Sequence, residues 1–216
     1  MALDNSTTIA TIVKNQEDAS KYFLKKASRY ARRHLNIKRI IIYDDHSEDQ
    51  TIETIMATMA TLKDPKIVFL TNDKQENQKQ QIKSILAQTH TQNIIFIEPE
   101  LHTYLRNLRM QIQYLSKVEA VFPNRLNPKS MIIWKDHRQK EEVKKENYKM
   151  IGHLISFFKD PTNPNKAFKT KMLREIVYKP STRKEIWAGI LREAKHHKTT
   201  QPDVEANYLK NYRYDF

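Results

Sequence analysis

Over the first hundred residues, short runs of Ile and Val alternate with amphipathic helical patterns. This alternation constrains the fold more than any other feature. The stretches "TTIATIV" (Thr7–Val13), "KRIIIY" (Lys38–Tyr43), "KIVFL" (Lys66–Leu70) and "NIIFIE" (Asn93–Glu98) read as strands. Between the first two, "EDASKYFLKKASRYARRHL" places Ala19, Phe23, Leu24, Ala27 and Ala31 on one helix face. Arg32, Arg33 and His34 fall in its last turn, where the helix dipole favours cations. A second helix is expected over "EDQTIETIMATMATL", with Ser47 as its cap and Ile52, Ile55, Met56 and Met59 as its stripe. The third is "NQKQQIKSILAQT". Near-continuous apolar strands separated by helix-length connections predict an α/β fold, with a mostly parallel sheet covered on both faces. Such sheets bind ligands beyond the carboxyl ends of their strands.

The pattern changes after Leu101 and becomes more helical. "LHTYLRNLRMQIQYL", "RQKEEVKKENYKMIGHLISFF", "KTKMLREIV" and "RKEIWAGILREAKHH" read as helices, "EAVFP" and "SMIIW" as short extended segments, and "KDPTNPNKAF" as a structured loop. No repeat or low-complexity linker divides the chain. It reads as one domain over residues 1–216, whose character changes between 1–100 and 101–216.

Composition excludes several chemistries. The chain has no Cys, so it has neither disulfides nor thiolates, which fits a reducing, cytoplasmic setting. It has only two Gly, Gly152 and Gly189, which excludes a Gly-rich phosphate loop. No apolar run approaches the roughly 18 residues of a membrane span, and no secretory signal is visible at the N-terminus. The net charge of +13 is uneven. Residues 1–124 carry 17 Lys/Arg against 14 Asp/Glu, and residues 125–216 carry 21 against 11. A basic second half suits a polyanionic partner, such as a phosphorylated ligand, an anionic membrane surface or nucleic acid.

The second strand runs straight into Asp44 and Asp45, and the fourth ends at Glu98 and Glu100. In a parallel sheet both acidic pairs lie on one edge. Asp in such loops often serves only as a helix cap or an Asx-turn. Two acidic pairs on one rim also suit a hard divalent cation, Mg²⁺ or Mn²⁺, which prefers oxygen ligands.

The order of these residues resembles the family-2 glycosyltransferases of the GT-A fold, nearest to the polyprenol-phosphate sugar transferase branch. "IVKNQED" is similar to the family's opening strand and Asn-Glu segment, and "IIIYDDHSEDQT" to its strand followed by Asp-Asp-Gly-Ser-x-Asp-x-Thr. "IIFIEPEL" is similar to the strand ending in the Asp-x-Asp metal motif, "EAVFPNRL" to the strand leading to a Ser-Arg segment, and "FFKDPTNPNKAFKTKML" to the acceptor-side segment. The resemblance implies a nucleotide-sugar donor, with residues 1–100 as a nucleotide-binding half and 101–216 as an acceptor-side half. Asp44 would face base and ribose with Lys14 and Asn15, and Asp45 would organise the loop. Arg125 would sit near the donor phosphates or the acceptor. Lys79, with Lys83, would stand in on the nucleotide side for the family's Gly-Lys segment, and Glu98 and Glu100 would hold Mg²⁺ or Mn²⁺. Asp160 is the implied catalytic residue, for acceptor positioning and as general base. Lys166 and Arg213 would be acceptor-side. The sequence departs from the pattern at His46, which stands where the family has Gly. It departs again at Glu98-Pro99-Glu100, where both motif positions are one carbon longer, and at "NQKQQIK", which replaces a Gly-Lys segment.

Three functional classes stay open on the sequence. One is a metal-dependent inverting glycosyltransferase acting on a lipid phosphate, protein or glycan, peripheral at an anionic membrane in the first case. Another is a catalytically lapsed interaction module of the same fold. The third is a basic α/β nucleic-acid-binding protein, which ranks last because no recognised nucleic-acid motif is present.

Overall fold

The structure, a computed structural model, describes residues 5–99, 101–103, 105–126, 130–133, 137–151, 158, 160, 163, 165–179, 186–202 and 205–208. Glu100, Trp134 and Arg213 lie outside the described residues, so the roles expected of Glu100 and Arg213 fall there too.

The alternation of the first half is realised: β1 (Thr7–Val13), α1 (Glu17–Arg33), β2 (Ile37–Asp44), α2 (Thr51–Leu62), β3 (Ile67–Thr71), α3 (Gln78–Ala87) and β4 (Asn93–Phe96). There follow β5 (Leu101–Thr103), α4 (Leu105–Leu115), β6 (Ala120–Val121), β7 (Met131–Ile133), α5 (His137–Ile151), β8 (Lys166–Lys169), α6 (Thr170–Tyr178), α7 (Ile186–Ala194), β9 (Thr199–Thr200) and β10 (Glu205–Tyr208). The main sheet has seven strands in the order β3-β2-β1-β4-β8-β6-β9, and β5-β10-β7 form a second sheet. β1 to β4 are mutually parallel, whereas β8 is antiparallel to both β4 and β6. The sheet therefore draws strands from both halves of the chain.

The strands are apolar on both sides because both faces are covered. Ile9, Ile40 and Ile42 pack with Phe23 and Leu24 of α1, Ile55 of α2, and Leu108 and Ile112 of α4. On the other face, Ala10, Ile41 and Ile94 pack with Ile82 and Ile85 of α3, Leu173 of α6 and Ile190 of α7. Every residue of the stripe expected on α1 is buried. On α2 the stripe is narrower than expected, since Ile55 is buried and Met56 is 54% exposed. Trp187 packs edge-on against Phe96, with ring centroids 5.2 Å apart, and Phe158 against Phe122 at 4.6 Å, so both are wall residues of the core.

Three local expectations are corrected. Ser47 does not cap α2. The helix starts at Thr51, whose amide and hydroxyl both donate to Asp49 Oδ1, at 3.0 and 2.5 Å. The helix expected from Leu101 begins at Leu105, after the short strand β5. The last residues of the expected loop, Lys166 to Phe168, are strand, inserted between β4 and β6.

Candidate active site at the carboxyl edge

Parallel pairing sets Val13 opposite Asp44 on one side of β1 and Ala10 opposite Phe96 on the other. The tips of β2 and β4 thus flank the tip of β1 on a single edge. Side chains stitch these tips together. Gln16 Nε2 donates to Glu98 Oε1 at 3.3 Å, and the Gln16 amide donates to Thr51 Oγ1 at 2.9 Å. The Asn15 amide donates to Ser47 Oγ at 2.9 Å, and Asn15 Oδ1 accepts from the Glu48 amide at 2.8 Å. Two turns at this edge take left-handed backbone without glycine, Asn15 at φ 52° and His46 at φ 59°. His46 therefore keeps the turn that the resemblance assigns to Gly.

The two adjacent aspartates are bonded differently. Asp44 is buried, and its carboxylate accepts from the Ser47 amide (3.0 Å) and the Ser47 hydroxyl (2.5 Å). It is the residue that organises the loop. The amide of Asp45 continues the sheet by donating to the Val13 carbonyl at 2.8 Å, while its Oδ1 is buried with no hydrogen-bond partner. Burial pushes the Asp45 carboxyl up from its ordinary range, against the opposing effects of Lys14 and a Gln81 hydrogen bond. Asp45 as a whole is only half-buried, so its carboxyl stands at the edge where parallel sheets take their ligands.

A second cluster lies beside the tip of β4. Arg125 and Asp160 form a buried ion pair, with Nε to Oδ2 and Nη2 to Oδ1 both at 2.9 Å. The Arg125 amide and Asn147 Nδ2 add two further donors to the same carboxylate, at 2.7 and 3.0 Å. Burial alone would raise the Asp160 carboxyl, but the Arg125 guanidinium and these hydrogen bonds outweigh it and hold the group below its usual range. The clamp connects to the rim through the polar loop after Asp160. The Asn163 amide donates to the Asp160 carbonyl at 3.2 Å, the Asn165 amide to Asn163 Oδ1 at 3.0 Å, and the Glu98 amide to Asn165 Oδ1 at 2.9 Å.

Lys166 opens β8 directly opposite Phe96. Its ammonium is buried, donates to the Asn163 carbonyl and lies 5.0 Å from the centre of the Trp187 ring. Burial, then the charge of Arg125, pushes its pKa down to about 7, while Asp160 and Glu98 pull it back. Of the remaining expected residues, Lys14 is exposed at the β1 tip beside Asp45. Lys79 turns away and donates to the Lys179 carbonyl at 3.1 Å, behind α6. Gln16, Asn147, Asn163 and Asn165 were missed by sequence reasoning. They are neutral amides whose only signal was proximity to the charged positions.

Among the described residues, no group of three or more His, Cys, Asp or Glu converges to hold a metal ion. Mg²⁺ at phosphate sites takes one or two protein carboxylates and fills the rest of its shell with substrate phosphate and water. Glu98 supplies one carboxylate at this rim. That one carboxylate fits a cation that brings most of its own shell, rather than one held by a protein cage.

No known family model matches the chain, and no curated protein matches it in sequence. Solved structures do. Glucosyl-3-phosphoglycerate synthase from Mycobacterium tuberculosis, in complex with Mn²⁺, UDP and phosphoglyceric acid, superposes with a TM-score of 0.68 at 12% identity. The match covers 95% of this chain and 71% of that one. A mannosyltransferase from Pyrobaculum calidifontis, in complex with GDP-Man and Mn²⁺, superposes with a TM-score of 0.62 at 14% identity, covering 96% of this chain and 57% of that one. At such identities the likeness defines the fold, which is that of the GT-A glycosyltransferases.

Proposed function

We propose that this protein is a nucleotide-sugar-dependent glycosyltransferase whose donor site is the crevice between the tips of β1, β2 and β4. The observation that carries the reading is the unpartnered, buried oxygen of Asp45 at this edge of a GT-A fold. A nucleoside presents N–H and O–H donors to which the half-buried Asp45 carboxyl can turn. The solved neighbours in complex with UDP or GDP-Man support the same donor class.

In this reading Asp44 holds the loop, and Asp45 and Lys14 meet the nucleoside. Arg125 is held in one orientation by Asp160, which acts as a positioning residue because a clamped, acidified carboxylate is a poor proton acceptor. Lys166 supplies positive charge close to Glu98, where negative charge grows on the departing diphosphate. Glu98, with Glu100 as the second carboxylate, would hold Mg²⁺ or Mn²⁺, which supplies Lewis-acid neutralisation of that charge. A deprotonated acceptor oxygen, as on a phosphate, attacks the anomeric carbon as the bond from that carbon to the diphosphate oxygen breaks, and the electron pair leaves with the nucleoside diphosphate. The basic second half suits an acceptor that is itself phosphorylated, including a lipid phosphate at an anionic surface.

A thermal-shift screen of UDP, GDP and their sugars, with and without Mn²⁺ or Mg²⁺, tests the reading. One nucleoside diphosphate is expected to raise Tm, and more so with cation. No stabilisation under any of these conditions would remove the proposal. Binding without sugar turnover would assign the lapsed-module alternative instead.

A further inference from the structure

The edge opposite the donor crevice carries a second feature that the transferase reading does not use. An open cleft of about 870 Å³ lies between the connection that leads into β4 and the junction of β8 with α6. Asn93, which starts β4, pairs with Lys169, which ends β8, so this cleft lies at the amino ends of the parallel strands. Thr170, Lys171 and Met172, the first three residues of α6, line it.

This helix start is unusual in three respects. The amides of a helix's first turn have no intrahelical partner, and here no side chain caps them. The turn contains no acidic residue, although the dipole favours one there, and holds Lys171 with Lys169 at the cap position. Thr170 is 5% exposed, lines the cleft, and its buried hydroxyl has no hydrogen-bond partner. Its amide already donates to the Gln92 carbonyl at 2.8 Å, so the hydroxyl is the unsatisfied group. An unsatisfied buried hydroxyl is destabilising unless a partner arrives. Arg174 lines the same cleft while its Nη2 donates to the Leu86 and Thr89 carbonyls, at 2.7 Å each, which fixes a guanidinium in the wall. Glu119 and Glu175 oppose this positive charge, but Glu119 Oε2 is engaged by His197 Nδ1 at 3.1 Å.

We infer that the start of α6 is an oxyanion site for a phosphate monoester, separate from the donor crevice. The amides of Lys171 and Met172 and the Thr170 hydroxyl would donate to the phosphate oxygens, with Lys169 and Lys171 supplying charge. The same chemistry is presented by a free phosphorylated molecule and by a lipid phosphomonoester headgroup.

The test uses the full chain. Inorganic phosphate is titrated while the backbone amide resonances of Lys171 and Met172 are followed by NMR, and vesicles of phosphatidylcholine with or without phosphatidic acid are sedimented with the protein. Saturable shifts of those two amides are expected, weakened about tenfold by Thr170→Val, the size of one lost charge-assisted hydrogen bond. Thr170→Val removes only an unpartnered group, so its Tm should be unchanged or higher. The exposed-residue variant Lys171→Ala should also weaken the shifts. Sedimentation with phosphatidic acid vesicles that Thr170→Val abolishes assigns the lipid source, and phosphate shifts without sedimentation assign a free ligand. Absence of saturable shifts together with absence of vesicle binding overturns the site, as does equal binding by wild type and both variants. Nucleotide stabilisation at the other edge should be the same in both variants, so failure here is distinct from failure of the transferase reading.

Discussion

Arg125 holds Asp160 at three points: its amide and Nε both donate to Oδ2, and Nη2 donates to Oδ1, with every distance between 2.7 and 2.9 Å. Both side chains are almost fully buried. Removing one partner from such a pair leaves the other charge buried alone, which costs about 3–5 kcal/mol. Asp160→Asn should therefore lower the stability measured by urea unfolding by about 3 kcal/mol. The pH dependence has a definite sign. The folded-state pKa of Asp160 is depressed, so its contribution is complete above the ordinary carboxylate pKa and is lost as pH falls through the lower folded value. Acid unfolding of Asp160→Asn should lack that component. An unchanged acid limb would mean that the pair contributes nothing to stability.

Lys166 predicts the opposite limb. Its folded pKa of about 7 lies below its unfolded one. Between these values the unfolded chain binds more protons, so stability rises with pH from about 7 towards 10.4. Below pH 7 the full penalty of the buried ammonium is present. Lys166→Met, which keeps length and packing on Trp187, should flatten this rise and be most stabilising, relative to wild type, near pH 6. Urea midpoints measured on both sides of neutrality check this, and parallel curves for the two proteins would count against it. If Lys166 also opposes the charge on the leaving group, the same variant gains stability while it loses turnover.

His46 sits in left-handed backbone at φ 59°. A side chain there costs about 1–2 kcal/mol, and glycine returns about 0.5–1 of this through the greater entropy of the unfolded chain. His46→Gly should thus stabilise the protein by roughly 0.5–1 kcal/mol. A loss of stability would show that the imidazole makes a contact worth more than the backbone strain.

The four parallel strands were legible because each is a run of β-branched residues long enough to be buried on both faces. β8 was not, because "KAFK" has lysines at both ends and follows a proline-rich loop. Its strand state comes from lodging Ala167 and Phe168 between β4 and β6, a tertiary effect that no local pattern reports. The shared acidic edge was legible from strand direction alone. The identity of the loop-organising aspartate was not, since Asp44 and Asp45 are neighbours of the same type. Only the Ser47 side chain, turning back onto Asp44, separates them. The Arg125–Asp160 pair spans 35 residues of chain, and the loop amides that join it to Glu98 carry no charge pattern to announce them.

The rim also predicts how a cation binds. Glu98, the one described carboxylate expected to hold the cation, already accepts from Gln16 and cannot hold Mn²⁺ tightly on its own. Calorimetry should show little heat for Mn²⁺ with the nucleotide-free protein and clear binding once the preferred nucleoside diphosphate is present. Glu98→Gln should weaken the ternary binding about tenfold or more, in line with the loss of a charged ligand. Tight Mn²⁺ binding to the protein alone would show that the carboxylates preform a cage.

The contrast between the adjacent aspartates gives the sharpest test of the donor site. Asp44→Asn leaves a weaker acceptor for the Ser47 amide and hydroxyl, so it should cost about 1–3 kcal/mol in unfolding free energy, the usual value of hydrogen bonds to a charged group. Its effect on nucleotide binding would be indirect, through the loop that also carries Asn15 and Glu48. Asp45→Asn removes charge from a carboxylate whose Oδ1 has no partner and whose burial disfavours ionisation, so the variant should be as stable as wild type or more so. Its nucleotide-induced rise in Tm, however, should shrink most of the way to zero. Measuring both quantities on both variants separates the roles. If Asp45→Asn keeps the full nucleotide response while Asp44→Asn loses it with little loss of stability, the nucleoside contacts Asp44 and the division of labour inferred from hydrogen bonding is reversed.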